Sequence, residues 1–231
     1  MKKNLISNFV ICFVLLSLVV ITTTLSNTFV ASYDNENVIY NGDTTSNEVS
    51  LMFNVYWGTE YINDILDTLE KYNVTTTFFV GGCWVEKETE MLKKMMERGH
   101  EIGNHGYLHL DHDNLSYEQN KEEILVCHNL VMSYTGYNMK LFAPPSGAYN
   151  NATITAATDL GYTTIMWSKD TIDWRDQDSN LIFRRATDNL KGGDLILMHP
   201  TEKTLEALPA ILEYIKINNL YAVTVSDNIN I

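Results

Sequence analysis

From Val49 onward, short runs of β-branched and aromatic residues alternate with amphipathic stretches. The runs at residues 49–55, 75–80, 101–104, 140–143, 163–167, 194–198 and 221–225 have the length and composition of strands. Between them, Ile62, Ile65, Leu66 and Leu69 recur at helical spacing, as do Leu205, Leu208, Ile211, Leu212 and Ile215. Each such stripe needs a sheet to cover. Gly99 follows the helical run carrying Met91, Leu92, Met95 and Met96, as a glycine just past a helix end does, and Gly161 stops another. The alternation marks βα units around a parallel sheet, and its length predicts an α/β fold, a distorted or incomplete (β/α) barrel of about seven strands. The site should then lie where strands give way to loops at the carboxyl edge, within residues 54–58, 81–84, 105–113, 144–149, 168–174 and 199–201.

The N-terminal end has a different pattern. Lys2 and Lys3 precede an apolar run from residue 9 to 21 broken by Ser17, a basic region followed by a hydrophobic one. The run is short for a spanning helix, which needs about 20 residues, so residues 1–26 read as a signal peptide in preference to an uncleaved membrane anchor. Either reading places the rest outside the cytoplasm, secreted or anchored at the cell surface. Residues 27–48, rich in Asn, Thr, Ser and Asp, read as a flexible linker, and residues 49–231 as one domain. A formal net charge of −13 disfavours nucleic-acid and anionic-lipid partners. Cys12, Cys83 and Cys127 make neither a disulfide framework nor a CxxC zinc site, and whether Cys83 pairs with Cys127 is not legible. Nor is the oligomeric state.

The local chemistry centres on Asn104-His105-Gly106-Tyr107-Leu108-His109, which sets two histidines four apart directly after a short strand. Two neutral imidazoles at that spacing can bind one divalent ion, although such pairs also serve as ordinary loop hydrogen-bonders. Four more segments follow predicted strands in order: TTTFFVGG, FAPPSGAYN, WSKDTIDW and DLILMHP. Together with GHEIGNHGYLH the series resembles the polysaccharide deacetylase family, the NodB-like carbohydrate esterases, across residues 49–231. It is closest to the sporulation-associated branch whose first motif ends in Trp-Gly. The resemblance implies a NodB-type barrel and a hydrolase in which a divalent metal, commonly zinc, activates water against the acetamide of an N-acetylated cell-wall glycan. It assigns His105 and His109 to the metal and His199 to the general acid. Asp173 is the residue that orients that histidine, Trp174 and Leu197 are apolar walls for the acetyl methyl, and the Ser146 N–H is an oxyanion donor. Trp57, Trp84, Trp174, Tyr107 and Tyr149 are candidates to stack on sugar rings, although aromatics more often serve packing. Read alone, His199 could cap a strand and Trp174 could be core. His100 and His128 read as structural; Asp111, His112 and Asp113, next to the histidine pair, could supply an oxygen ligand but read first as a charged surface loop.

The chain departs from that family at its first motif, Met52-Phe53-Asn54-Val55-Tyr56-Trp57-Gly58. Asn54 stands where the resemblance places the catalytic base aspartate, and Val55 where it places a metal aspartate. An amide oxygen is far too weak a base to take a proton from water at neutral pH. In the third motif Ala143 replaces the arginine that pairs with that base. Losing one partner of a buried ion pair strands a charge at a cost of about 3–5 kcal/mol, whereas losing both can be near neutral. Two functions follow from the same residues: a metal-dependent deacetylase of impaired activity, or an inactive glycan-binding pseudoenzyme of the same fold.

Overall fold

The computed structural model describes residues 38–231. The expected signal peptide or anchor, and residues 27–37 of the expected linker, lie outside them. Among the described residues no helix is long and apolar enough to cross a membrane.

The longest strand, β2 (Glu48–Val55), is buried along almost its whole length, as a central strand covered on both faces must be. Its side chains alternate between two cores. Val49, Leu51, Phe53 and Val55 join the outer core under the helices, while Met52 joins an inner cluster with Phe79, Leu141, Ala143, Ile165, Leu195 and Leu197. Two cores separated by one curled sheet are what a (β/α) barrel requires. Around β2 run β3 (Thr77–Val80), β4 (Glu101–Asn104), β5 (Leu141–Phe142) and β6 (Thr163–Ile165) on one side. On the other side lie β7 (Lys169–Asp170) and β8 (Leu195–Met198). With β1 (Val38–Ile39) and β9 (Tyr221–Ala222) they form a nine-stranded sheet in the order β1-β6-β5-β4-β3-β2-β8-β7, with β9 on β2. All the ladders are parallel. The sheet is curled and does not close, so the barrel is incomplete, as expected.

The seven expected strands are present, and two more were not foreseen. Residues 38–48 belong to the folded body: Val38 pairs with Thr164, and the Gly42 N–H donates to the Gly193 carbonyl at 2.7 Å. Their polar composition reads as spacer because a two-residue edge strand needs only backbone groups and one buried side chain. β7 is equally short and has no periodicity to read.

The outer helices are α1 (Thr59–Lys71), α2 (Gly82–Val85), α3 (Thr89–Glu97) and α4 (Tyr117–Thr135), then α5 (Asn151–Asp159), α6 (Ser179–Thr187), α7 (Glu202–Ile217) and α8 (Val225–Asn228). α1 buries the four residues of its apolar stripe, at about 2 kcal/mol each before the entropy of ordering them. α4 starts at a capping box of Ser116 and Gln119 and stops at left-handed Gly136. α7 starts at Thr201, whose hydroxyl accepts the Thr204 N–H at 3.0 Å. Cys83 and Cys127 are free.

Candidate functional site

The register of the inner face decides what meets at the carboxyl edge. Asn54 lies opposite Phe79, and Phe79 opposite Gly103, so Asn54 and the residue two beyond Gly103, His105, share the inner side. A Cβ on Gly103 would collide with the Phe79 ring, so glycine lets that ring fill the barrel below the site. Val55, one residue on, turns outward into the core under the helices and offers the site nothing. Leu197 lies opposite Met52 on one side and Asp170 on the other.

Asn54, His105, Leu197 and Asp170 line a groove of about 460 Å³ with Tyr56, Trp57, His109, Ser146, Trp167, Trp174 and His199. Of the residues expected in the site, the structure therefore brings together Asn54, His105, His109, Ser146, Trp174, Leu197 and His199. Asp173 sits directly behind His199. Tyr149 does not line the groove: its hydroxyl pairs with that of Tyr40 at 2.5 Å and its ring packs on Val38, Ile154 and Met166. Trp84 is core, its indole N–H donating to the Thr59 hydroxyl at 2.8 Å, and Tyr107 reaches outward to Glu86. Three groove residues were not singled out from the sequence. Tyr56 stands beside Trp57 in the first motif, Trp167 lies just before the short β7, and Asp170 is its last residue.

Each histidine is held by a specific partner. The His105 ring is buried and its Nδ1 lies 2.7 Å from the Ala143 carbonyl, which can only accept, so Nδ1 carries the proton and Nε2 is left as an acceptor. Burial, reinforced by neighbouring His109, keeps the His105 pKa well below the ordinary histidine value. Burial also lowers that of His109, whose ring lies 5.1 Å from that of His105 and 4.9 Å from that of Tyr56. His109 and Ser146 both adopt left-handed backbone with φ of 57°, a strain that the surrounding structure must hold. Glu123 does part of this, accepting the N–H groups of Tyr107 and Leu108 at 2.9 and 2.8 Å. His112 is no surface residue: it is buried, with Nδ1 2.6 Å from Asn120 Oδ1.

On the opposite side, fully buried Asp173 accepts from His199 twice, through the ring Nδ1 at 2.8 Å and the backbone N–H at 2.6 Å, and once from the Thr204 hydroxyl. This fixes the ring and aims Nε2 into the groove. Trp57 stacks on the His199 ring, the planes 3° apart and the centroids 5.9 Å apart. Left-handed Gly58 permits this arrangement, because a Cβ there would strike the Pro200 carbonyl.

The base position is different. Asn54 is 5% exposed and its Oδ1 has no hydrogen-bond partner among the described residues. The expectation of a divalent metal, zinc by resemblance, is corrected by the donor set. Among the described residues no group of three or more His, Cys, Asp and Glu side chains is placed to hold an ion. His105 and His109 supply two nitrogens, Asn54 has no carboxylate and Val55 faces away, so the charge-neutralising ligands a divalent ion needs are missing.

Known proteins agree with this geometry. The polysaccharide deacetylase family model matches residues 41–165. The chain is 34% identical over 173 residues to a peptidoglycan-N-acetylglucosamine deacetylase of Bacillus cereus, covering 72% of this chain and 81% of that one. It is 38% identical over 178 residues to the uncharacterized protein YlxY of Bacillus subtilis, covering 77% of this chain and 56% of that protein's length. Among solved structures, a CE4 family pseudoenzyme from Bacillus anthracis superposes with a TM-score of 0.81 at 32% identity, covering 83% of this chain and 68% of that one. A mutant of that pseudoenzyme with restored enzymatic activity superposes equally well, at 30% identity and a TM-score of 0.81. With the barrel, the ordered motifs and these matches in hand, the chain belongs to the polysaccharide deacetylase family.

Proposed function

We propose that this protein is a catalytically silent, glycan-binding member of its family, acting outside the cytoplasm on cell-wall polysaccharide. The observation that carries the reading is the pairing of Asn54 with Ala143. The base position holds an amide with an unpartnered oxygen, and the position of its expected cationic partner holds a fully buried methyl group. An amide at this position cannot take a proton from water at neutral pH. What persists is a binding surface. Trp57 and Trp174 are 44% and 54% exposed at the groove, Leu197 lines it, and His199 presents a fixed ring nitrogen able to hydrogen-bond a sugar. The Ser146 N–H remains a candidate donor to a bound carbonyl. Relatives named as peptidoglycan deacetylases, and the basic then apolar start of the chain, support a cell-wall glycan and an extracytoplasmic location. The related pseudoenzyme, and its mutant of restored activity, support loss of turnover on a retained scaffold.

The test pairs two measurements on the full chain with chitin oligomers and peptidoglycan. Acetate release should stay at background, and calorimetric binding should be weakened about tenfold by Trp174→Ala, the loss of one stacking face. Acetate release that disappears in His199→Ala would overturn the silent reading. Absence of any saturable glycan binding would overturn the binding reading.

A further inference from the structure

Resting on the glycan-binding reading, the charge and donor pattern of the same groove sets which form of sugar it takes. Among the described residues, Asp170 is the one carboxylate that lines the groove, and no lysine or arginine lines it. Its side chain shares the inner side with Leu197, its partner across the ladder, and one of its oxygens accepts the Ile172 N–H at 2.8 Å. The other has no hydrogen-bond partner among the described residues. A second, independent acceptor is Asn54 Oδ1, on a side chain nineteen-twentieths buried, the oxygen itself buried in the groove wall and unpartnered among the described residues. A third is His105 Nε2, left as an acceptor by the bond from Nδ1 to the Ala143 carbonyl. Trp57, Trp167 and Trp174 add aromatic faces, which attract cations. Arg175 holds Asp176 through two bonds of 2.9 and 3.0 Å and lies 6.0 Å over the Trp174 ring. Arg184 and Arg185 line a separate cleft on the other side of Asp170, where Arg185 is held by the Thr171 carbonyl and Asp176. The Lys169 ammonium is bound to the Asp188 carbonyl at 2.5 Å.

An acetamide brings one N–H donor and a carbonyl that wants a donor or a cation, and the donor set for a dication is lacking here. A free sugar amine is an ammonium, with three donors and a positive charge. That is the complement of one carboxylate, two further acceptors and three indole faces in a protein of net charge −13. We propose that the groove selects de-N-acetylated amino sugar, so that the protein recognises glycan from which acetyl groups have already been removed. Its place in a reaction sequence is downstream of an amide-hydrolysing step on the same polymer.

The experiment is calorimetry on the full chain at about pH 6.5, where such amines carry a proton. Three probes are used: the β-1,4 disaccharide of glucosamine, its N-acetylated counterpart, and dilysine as a sugar-free dication. The amino disaccharide should bind about 10- to 100-fold more tightly than the acetylated one, the range of a charge-assisted hydrogen bond. Asp170→Asn, which keeps an oxygen for the Ile172 N–H, should erase that preference. Asp170→Glu should retain a part of it, and Glu213→Gln, which removes a charge on the outer face of α7, should leave it unchanged. Equal or tighter binding of the acetylated sugar would overturn this proposal while leaving the glycan-binding reading intact. Dilysine binding as tightly as the amino sugar would also overturn it, as mere charge attraction. If neither disaccharide binds, the glycan-binding reading falls and this proposal falls with it.

Discussion

The two flanks of the groove have been built to different standards. On the β8 flank, Asp173 is fully buried yet accepts three hydrogen bonds, so its charge is compensated and the His199 ring is fixed. On the β2–β5 flank, Asn54 has an oxygen with no partner and Ala143 offers only its backbone carbonyl, to His105. A buried charged network collapses if one member is lost, so it must be kept whole or removed whole. The β8 flank is whole, and the β2–β5 flank reads as removed whole, with neutral groups at both positions where the resemblance places the base carboxylate and its arginine partner. Fold stability therefore places no demand on the catalytic base, and the barrel persists without it.

The comparison breaks or sharpens at three points. The largest effect is expected for Asp173→Ala, which strands a buried backbone N–H and leaves the ring and a hydroxyl without their acceptor. Urea unfolding should show a loss of about 3–5 kcal/mol, whereas Asn54→Ala should cost no more than about 1 kcal/mol. Equal losses would erase the difference between the flanks.

The next effect comes from pH. Burial lowers the pKa of His105, His109 and His112, and that of His100, below the barrel, to about 4. A histidine whose folded pKa lies below its unfolded value near 6.5 takes up protons preferentially when unfolded. Stability is then full above about pH 6.5 and falls as pH drops through the window down to the folded value. His100 alone should cost about 2 kcal/mol at pH 5, with the groove histidines adding to it. Asp176, lowered to about 2 by Arg175 and Arg185, stabilises the fold above about pH 4 and loses that contribution only as pH falls further, outside this window. Urea midpoints at pH 7 and pH 5 measure the fall, and an unchanged midpoint would contradict the buried neutral state of these rings.

The smallest effect is a coupling. Asn54→Asp places an unpaired charge in a buried position, and Ala143→Arg alone does the same with the opposite sign. Combined, the two should be more stable than the sum of their single effects by about 1 kcal/mol or more, read from a double-mutant cycle. Strict additivity would show that the two positions do not face one another as an ion pair would need.

Much of this was legible along the chain. The seven principal strands and the stripe on α1 announced themselves through periodicity, because each buries a continuous or alternating apolar face. The ordered motifs led to the groove because barrel strands deliver their C-terminal residues to one rim. Tyr149 illustrates the limit: its motif reached the rim, but its hydroxyl turned to Tyr40, and only packing decides which way a loop side chain turns. His112 was misread as surface because a charged neighbourhood in sequence says nothing of the helix Asn120 brings over it. Asp170 escaped because two residues of β7 carry no period, and its inward aim follows from pairing with Leu197.

The sequence by itself determined the barrel, its carboxyl-edge rim and the amide that stands where the resemblance places the base, since burial patterns and the chemistry of an amide are local properties. Only the tertiary structure decided that Val55 turns away and that, among the described residues, two imidazoles stand without a third donor and Asp170 is the lone carboxylate on the groove wall. Those outcomes depend on strand register and on which distant groups come within a few ångströms, and neither is written in the order of residues along one strand.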